Sequence, residues 1–155
     1  MNPFRPSILG AFAGLLLMSA CSDQGPGATL SERIEANRAL WATVRPQAYE
    51  YRMVRRCFCI DASLGPVDVT VVAQAVVQRR YHETGDPVPE EWQDLFPSVE
   101  GLFAILEDAV ARNAHSIDIT WDPERGIPLE AFIDYNEQTV DEELGFAVLA
   151  LPEAP

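Results

Sequence analysis

The first stretch of apolar residues at helical spacing lies within residues 29–45. Thr29 and Glu32 have the spacing of a capping box, in which both side chains bond to the first free amides of a helix. The helix must end near Arg45, because Pro46 follows and disfavours helical backbone at the residue before it. Its apolar stripe, which the polar Asn37 interrupts, consists of Leu30, Ile34, Leu40, Trp41 and Val44.

Three segments that alternate between apolar and polar residues follow this helix. Alternation with a period of two is typical of half-buried strands. The first segment runs from Tyr49 to about Ile60, the second covers residues 67–71 after a turn at 64–66, and the third covers residues 75–81. This part of the sequence therefore predicts one helix followed by three strands.

The same order of elements recurs in the second half of the chain. After a loop at residues 85–97, Ser98 is placed to cap a helix that ends at Asn113. The apolar stripe of this helix consists of Val99, Leu102, Phe103, Leu106 and Val110. Strands are predicted at residues 117–121, 127–134 and 146–151. Two helix-plus-three-strand units predict the α+β class, with helices packed on an antiparallel sheet.

Residues 1–20 have the pattern of a bacterial lipoprotein signal peptide. Arg5 precedes an apolar run at residues 8–18, and the small residues Ser19 and Ala20 come directly before Cys21. This pattern predicts cleavage before Cys21 and lipidation of that cysteine, with acyl chains such as palmitate. An ordinary secretory signal and an uncleaved anchor are the alternatives. The anchor is disfavoured because a membrane-spanning helix needs about 20 apolar residues.

The export signal determines how we divide the chain and where we expect it to reside. Residues 21–28 form a short tether with glycines on both sides of a proline, and residues 29–155 form one α+β domain. We expect the protein in the cell envelope, attached to a membrane through its N-terminal lipid. An aspartate directly after Cys21 would favour retention in the inner membrane. The chain has Ser22 there instead, and this favours the periplasmic face of the outer membrane.

The net charge of −13 is unevenly distributed along the chain. All basic residues are arginines, and only Arg112 and Arg125 follow His82, whereas most of the 24 acidic residues do. Such a field repels phosphate backbones, so we expect no nucleic-acid partner. A solvated acidic surface explains the charge most simply. A cationic partner or a loosely held divalent cation is the alternative.

Cys57 and Cys59 are the most distinctive pair of residues in the mature sequence. On an extended strand, the side chains of residues two positions apart point to the same face, but their β-carbons are too far apart for a relaxed disulfide. A bridge between Cys57 and Cys59 therefore requires a bend in the backbone. An oxidising periplasm favours the bridge. Free thiols are one alternative. A redox or metal role is another, since Arg55 and Arg56 would favour thiolates, and a metal would also need His82 or His115.

The remaining polar and aromatic residues carry no motif for catalysis. The acidic run at residues 134–143 fails the EF-hand pattern, although an irregular cation site is the alternative to a solvated loop. Trp41 and Trp121 lie on apolar faces and are assigned to the core, whereas Trp92 is a candidate contact residue in an acidic, proline-rich loop. We expect no catalytic residues, no cofactor and no bound metal.

Two short elements of the sequence resemble a known family. They are Arg56-Cys57-Phe58-Cys59 and, near the C-terminus, Asp141-Glu142-Glu143-Leu144-Gly145-Phe146. With further likeness over most of residues 30–151, the chain resembles a family of uncharacterised bacterial lipoproteins and secreted proteins, a domain of unknown function. The resemblance implies an exported protein and transfers no catalytic residue.

Together these observations predict a lipid-anchored envelope protein that is not an enzyme. The domain would bind an envelope protein or a small ligand through its sheet or its acidic loops. The alternative is a thiol-redox or metal-handling protein that uses Cys57 and Cys59.

Overall fold

The computed structural model describes residues 27–138 and 143–153. The predicted signal peptide, Cys21 and most of the tether lie outside the described residues, as does part of the acidic run at 134–143. Within the described part of the chain, no helix is long and apolar enough to cross a membrane.

The structure confirms the α+β class and the two helix-plus-three-strand units. The first unit consists of α1 (Leu30–Val44), β1 (Ala48–Arg56), β2 (Val67–Val72) and β3 (Ala75–Tyr81). The second consists of α2 (Val99–Ala111), β4 (Ser116–Trp121), β5 (Pro128–Asp134) and β6 (Leu144–Glu153). Two 3₁₀-helices lie in the connections, at Asp61–Ser63 and at Glu90–Leu95.

All six strands form one antiparallel sheet in the order β3-β2-β1-β6-β5-β4. The two units meet where β1 pairs with β6, with Val54 opposite Ala147 and Arg56 opposite Gly145. The first unit thus contributes its first strand to the centre of the sheet, and the second unit contributes its last. The halves share an order of elements but do not contribute equivalent strands to this junction.

The caps predicted for both helices are present. Thr29 and Glu32 form the capping box of α1, and Arg45 ends the helix before the proline. Ser98 accepts a hydrogen bond from the amide of Gly101 at the start of α2. These local bonds explain why both helices begin at the predicted residues.

The predicted apolar stripe of α1 is partly wrong. Val44 is 46% exposed, whereas the polar Asn37 is buried together with Ile34 and Trp41. Asn37 is tolerated there because its Nδ2 donates to the carbonyl oxygen of Arg33 at 2.8 Å. Its backbone also packs against Gly126, where a β-carbon would overlap the Asn37 carbonyl oxygen.

The core lies between one face of the sheet and the two helices. It includes Trp41, as predicted, while Trp121 is half-buried and packs its ring on Phe103 with centroids 6.0 Å apart. The largest fully buried side chains are Trp41, Tyr49, Tyr51, Phe96, Phe103, Phe146, Ile34, Met53, Leu102, Leu106, Ile127 and Ile133. The opposite face of the sheet carries no helix of the described chain.

The two helices run antiparallel to each other, because Arg38 pairs with Glu107 and Arg45 pairs with Glu100, both at 2.9 Å. The last turn of α1 lies beside the first residues of β1, where the rings of Trp41 and Tyr49 are 5.4 Å apart.

Strand β1 ends at Arg56, and the prediction that it continues to about Ile60 is wrong. The two cysteines that follow are bonded to each other, and the chain then enters the 3₁₀-helix at Asp61–Ser63. Alternation alone does not mark this end, which agrees with the bend that a disulfide between residues two apart requires.

Candidate functional site at the Cys57–Cys59 loop

The chain leaves β1 in a short loop closed by a disulfide. The sulfurs of Cys57 and Cys59 are 2.05 Å apart, and the two α-carbons are 5.2 Å apart. The bend that a bridge requires is present directly after Arg56, which agrees with the disulfide hypothesis. Cys57 is half-buried and Cys59 is exposed, so one sulfur lies at the protein surface.

The residues after the disulfide are held in place by hydrogen bonds. The buried hydroxyl of Ser63 donates to the carbonyl oxygen of Ile60 at 2.9 Å. The backbone amide of Arg55 donates to the carbonyl oxygen of Leu64 at 2.7 Å, and its guanidinium reaches the carbonyl oxygen of Ser63 at 3.3 Å. Burial lowers the pKa of Arg55. These contacts give the loop a fixed shape on the end of β1.

The fixed loop exposes two large apolar side chains. Phe58, between the two cysteines, is 87% exposed, and Ile60 is 60% exposed. A single exposed apolar residue is ordinary on a protein surface. Two of them on a loop closed by a disulfide form an apolar projection, which is suited to insertion into a complementary surface.

A pocket of about 570 Å³ begins at Asp61, the residue that follows Ile60. One wall comes from the segment after the disulfide and the other from the connection after β3. The lining residues are Asp61, Gly65, Pro66, Tyr81, Glu83, Thr84, Asp86, Pro87 and Pro89. Three of the nine are acidic and none is basic, so the pocket has a negative rim and partly apolar walls.

Backbone hydrogen bonds close the turn that forms the second wall. The amide of Tyr81 donates to the carbonyl oxygen of Asp86 at 2.9 Å. The amide of Gly85 donates to the carbonyl oxygen of Tyr81 at 2.8 Å. The amide of His82 donates to the carbonyl oxygen of Pro66 at 2.9 Å and so joins the two walls. The pocket is therefore built from hydrogen-bonded backbone on both sides.

The cationic side chains near this end of β3 bond to groups other than the acids that line the pocket. Arg80 donates to the carbonyl oxygen of Gly85 at 2.8 Å. Asp68 accepts from Arg52 at 2.7 Å and contacts Nδ1 of His82 at 2.9 Å. Burial opposes ionisation of Asp68, but its bonds to His82 and Arg52 outweigh this effect and lower its pKa.

The surroundings of the disulfide differ from those of a thioredoxin-like site. Arg56, whose charge was expected to favour a thiolate, is paired with Glu130. Cys57 follows a strand, whereas reactive Cys-x-x-Cys pairs sit at a helix N-terminus that lowers the thiol pKa. Over the described residues, no group of three or more His, Cys, Asp or Glu side chains is arranged to hold a metal ion.

The structure does not bring the other candidate residues to this loop. Trp92 lies in the 3₁₀-helix Glu90–Leu95, is half-buried and packs against the core, so its role as a contact stays a prediction. His82 pairs with Asp68 and does not join the two sulfurs. The lipidation site, Cys21, lies outside the described residues.

A second polar cluster lies at the start of α2, around Glu100. Its carboxylate accepts hydrogen bonds from Trp41 Nε1 at 3.0 Å, Arg45 Nη1 at 2.9 Å and Tyr49 Oη at 2.9 Å. Burial opposes ionisation of Glu100, but the hydrogen bonds outweigh it and lower its pKa. Burial, followed by the charge of Glu100, raises the pKa of Tyr49. This cluster ties α1, β1 and α2 together.

The sequence alone identified neither the pocket nor the Glu100 cluster. Asp61 and Asp86 are far apart in the chain, and each is one acid among many. The only sequence feature that marks the second wall is the concentration of proline and acidic residues between residues 83 and 90. Glu100 carries no motif, because a glutamate in the first turn of a helix is common.

The chain belongs to a family of unknown function (DUF6174), whose sequence profile matches residues 33–152. The match extends from α1 into β6 and so includes the Cys57–Cys59 loop and the pocket. It confirms the predicted membership of an uncharacterised family, and it carries no information on a lipid anchor. No curated protein and no solved structure matches the chain.

Proposed function

We propose that this member of the family is a lipid-anchored protein of the cell envelope whose domain is a non-enzymatic interaction module. The observation that carries the proposal is the apolar projection formed by Phe58 and Ile60. Phe58 is 87% exposed on a loop held by a disulfide and by the bonds of Arg55 and Ser63. A rigid apolar group loses little conformational entropy when a partner covers it.

The size of the projection sets the strength of the expected contact. Removing one large apolar side chain from water stabilises a complex by about 1.5–3 kcal/mol. Since 1.4 kcal/mol corresponds to a tenfold change in affinity, replacing Phe58 with alanine should weaken partner binding by roughly tenfold or more. The same replacement should leave the fold intact, because surface substitutions change stability by about 0.5 kcal/mol or less.

Site-specific photo-crosslinking tests whether the loop contacts a partner. A benzophenone amino acid is placed at Phe58 in the full-length protein and activated in the living bacterium. The matched control is Val77, which is 60% exposed on β3, away from the loop. We expect a discrete adduct from position 58 that Val77 does not give. Identical adducts from both positions, or none from position 58, would contradict an interaction through this loop.

The lipid anchor is supported by the lipobox-like residues before Cys21. Growth with an alkyne-labelled palmitate analogue should label the wild-type protein, and the Cys21→Ala variant should remain unlabelled. Cell fractionation should then recover the labelled protein with the outer membrane. A wild-type protein that is exported without label would instead be a product of an ordinary secretory signal.

A thiol-redox or metal-handling role is the second candidate, and the exposure of Cys59 favours it because a reductant can reach that sulfur. It predicts that mild reduction releases two thiols that alkylate readily, or that the native protein carries additional metal mass. The interaction module predicts an intact mass two hydrogens below that of the reduced chain, and no thiol that alkylates before reductant is added. Intact mass spectrometry of the chain from Ser22 onward separates the two roles.

A further inference from the structure

We propose that the pocket beside the Cys57–Cys59 loop binds the basic side chain of a partner polypeptide, with arginine preferred over lysine. This inference rests on the proposed role of the domain as an interaction module and specifies the chemistry of the partner. The pocket volume of about 570 Å³ is ample for one long side chain with its flanking backbone.

The charge of the lining selects a cation. The acidic residue Asp61 lines one wall, and the acidic residues Glu83 and Asp86 line the other. None of the nine lining residues is basic, and the adjacent Arg80 donates to the carbonyl oxygen of Gly85. A guanidinium offers five donors in a planar fork that fits carboxylates, so it uses such a rim better than an ammonium does.

The apolar part of the lining fits the stem of the same side chain. Pro66, Pro87 and Pro89 provide surface without additional charge. Long basic side chains lay their methylene groups along apolar surface while their charged ends reach polar groups. A pocket with apolar walls and an acidic rim therefore matches a long basic side chain better than it matches a metal ion, which needs converging ligand atoms.

The pocket is formed before any ligand binds. The amide of His82 donates to the carbonyl oxygen of Pro66, which joins the two walls, and an isolated bridge pairs Arg80 with Pro87. Backbone that is already ordered loses little entropy on binding. A small number of polar contacts at this place should therefore suffice for measurable affinity.

The neighbouring loop argues for a polypeptide partner. Asp61 directly follows Ile60, and the exposed Phe58 lies two residues earlier, so the apolar projection and the acidic pocket adjoin in the chain. A partner segment with a basic residue beside an apolar one can contact both surfaces at once. Mixed recognition of this kind combines an apolar anchor with a charge that sets specificity.

Peptide titrations followed by NMR test the inference with defined probes. The ¹⁵N-labelled chain from Ser22 onward, which retains all of the described fold, is titrated with the acetylated and amidated tripeptide Leu-Arg-Leu. The same peptide with neutral citrulline in place of arginine is the matched probe. We expect the arginine peptide to shift the amide resonances of residues 83–86, and the citrulline peptide to bind roughly tenfold more weakly.

Variants of the chain show whether the pocket itself is responsible. Glu83→Gln and Asp86→Asn should each raise the Kd of the arginine peptide roughly fivefold. Glu91→Gln removes an exposed acid of the adjoining 3₁₀-helix that does not line the pocket, and it should leave the Kd unchanged.

Three results would overturn the inference. They are equal affinity for the arginine and citrulline peptides, resonance shifts spread away from residues 83–86, and an equal loss of affinity in the Glu91→Gln variant. The outcome is separable from that of crosslinking at Phe58. If the peptides bind as expected but Phe58 gives no adduct, the pocket chemistry stands and the proposed contact through the loop does not.

Discussion

Removal of the Glu100 carboxylate should destabilise the fold more than removal of any exposed acid. Three donors, Trp41, Arg45 and Tyr49, bond to this carboxylate, and they come from α1, from the residue that ends it and from β1. Glu100→Ala leaves the buried phenol of Tyr49 and the largely buried guanidinium of Arg45 without their acceptor. The Tyr49 phenol cannot easily bond to water instead, because this residue is 1% exposed.

The expected magnitude follows from the burial of the ion pair. The side chains of Arg45 and Glu100 are 27% and 21% exposed, so solvent screens them only in part. A hydrogen bond to a charged group contributes about 1.5–3 kcal/mol, and breaking one partner of a buried pair costs about 3–5 kcal/mol. Allowing for the residual exposure, we expect Glu100→Ala to lower the free energy of unfolding by about 2–4 kcal/mol.

Urea denaturation of the chain from Ser22 onward measures this loss at several pH values. Because the pKa of Glu100 is lowered in the folded state, its contribution is fully present above the ordinary value of 4.5. The contribution is lost as the pH falls through the lowered folded value. The difference between wild type and Glu100→Ala should therefore be constant from pH 7 to pH 5 and shrink at lower pH.

The control is Glu107→Ala, which removes the partner of Arg38. That pair is 41% and 47% exposed, and exposed ion pairs contribute about 1 kcal/mol or less. A loss for Glu100→Ala that is no larger than the loss for Glu107→Ala would refute the reasoning. A difference from wild type that does not change between pH 7 and pH 3.5 would refute the part that assigns it to the ionised carboxylate.

Two further predictions concern the loop and the packing of α1. The double variant C57S/C59S should lose only about 1.6 kcal/mol in urea denaturation, because chain entropy rises little when a three-residue ring opens; a loss above about 4 kcal/mol would contradict this estimate. An alanine at position 126 must adopt a φ of +72°, and its β-carbon would overlap the carbonyl oxygen of Asn37. An alanine at position 85 must adopt a φ of +73°, but its β-carbon would have no neighbour within 4 Å. Thermal unfolding should show a loss of about 1 kcal/mol for Gly85→Ala and clearly more for Gly126→Ala, and equal losses would show that the overlap is relieved without cost.

The sequence determined the type and order of the helices and strands. Local chemistry is responsible, since the capping box at Thr29 and the cap at Ser98 satisfy helix amides through residues three positions apart. Alternation located β3 at the residues where the structure has it, because the side-chain period of a strand is two. Signals that depend on residues near each other in the chain can be read without the fold.

Tertiary structure decided what depends on residues far apart in the chain. The antiparallel pairing of β1 with β6 joins the two units. The backbone of Asn37 is buried against Gly126, which lies far from it in the chain. Asp61 and Asp86 line one pocket because β2 pairs with β3 and the amide of His82 bonds to Pro66, which joins the two walls. Neither acid differs in sequence from the other carboxylates of a strongly acidic chain. Their significance comes from long-range backbone pairing, for which the local pattern of apolar and polar residues carries no signal.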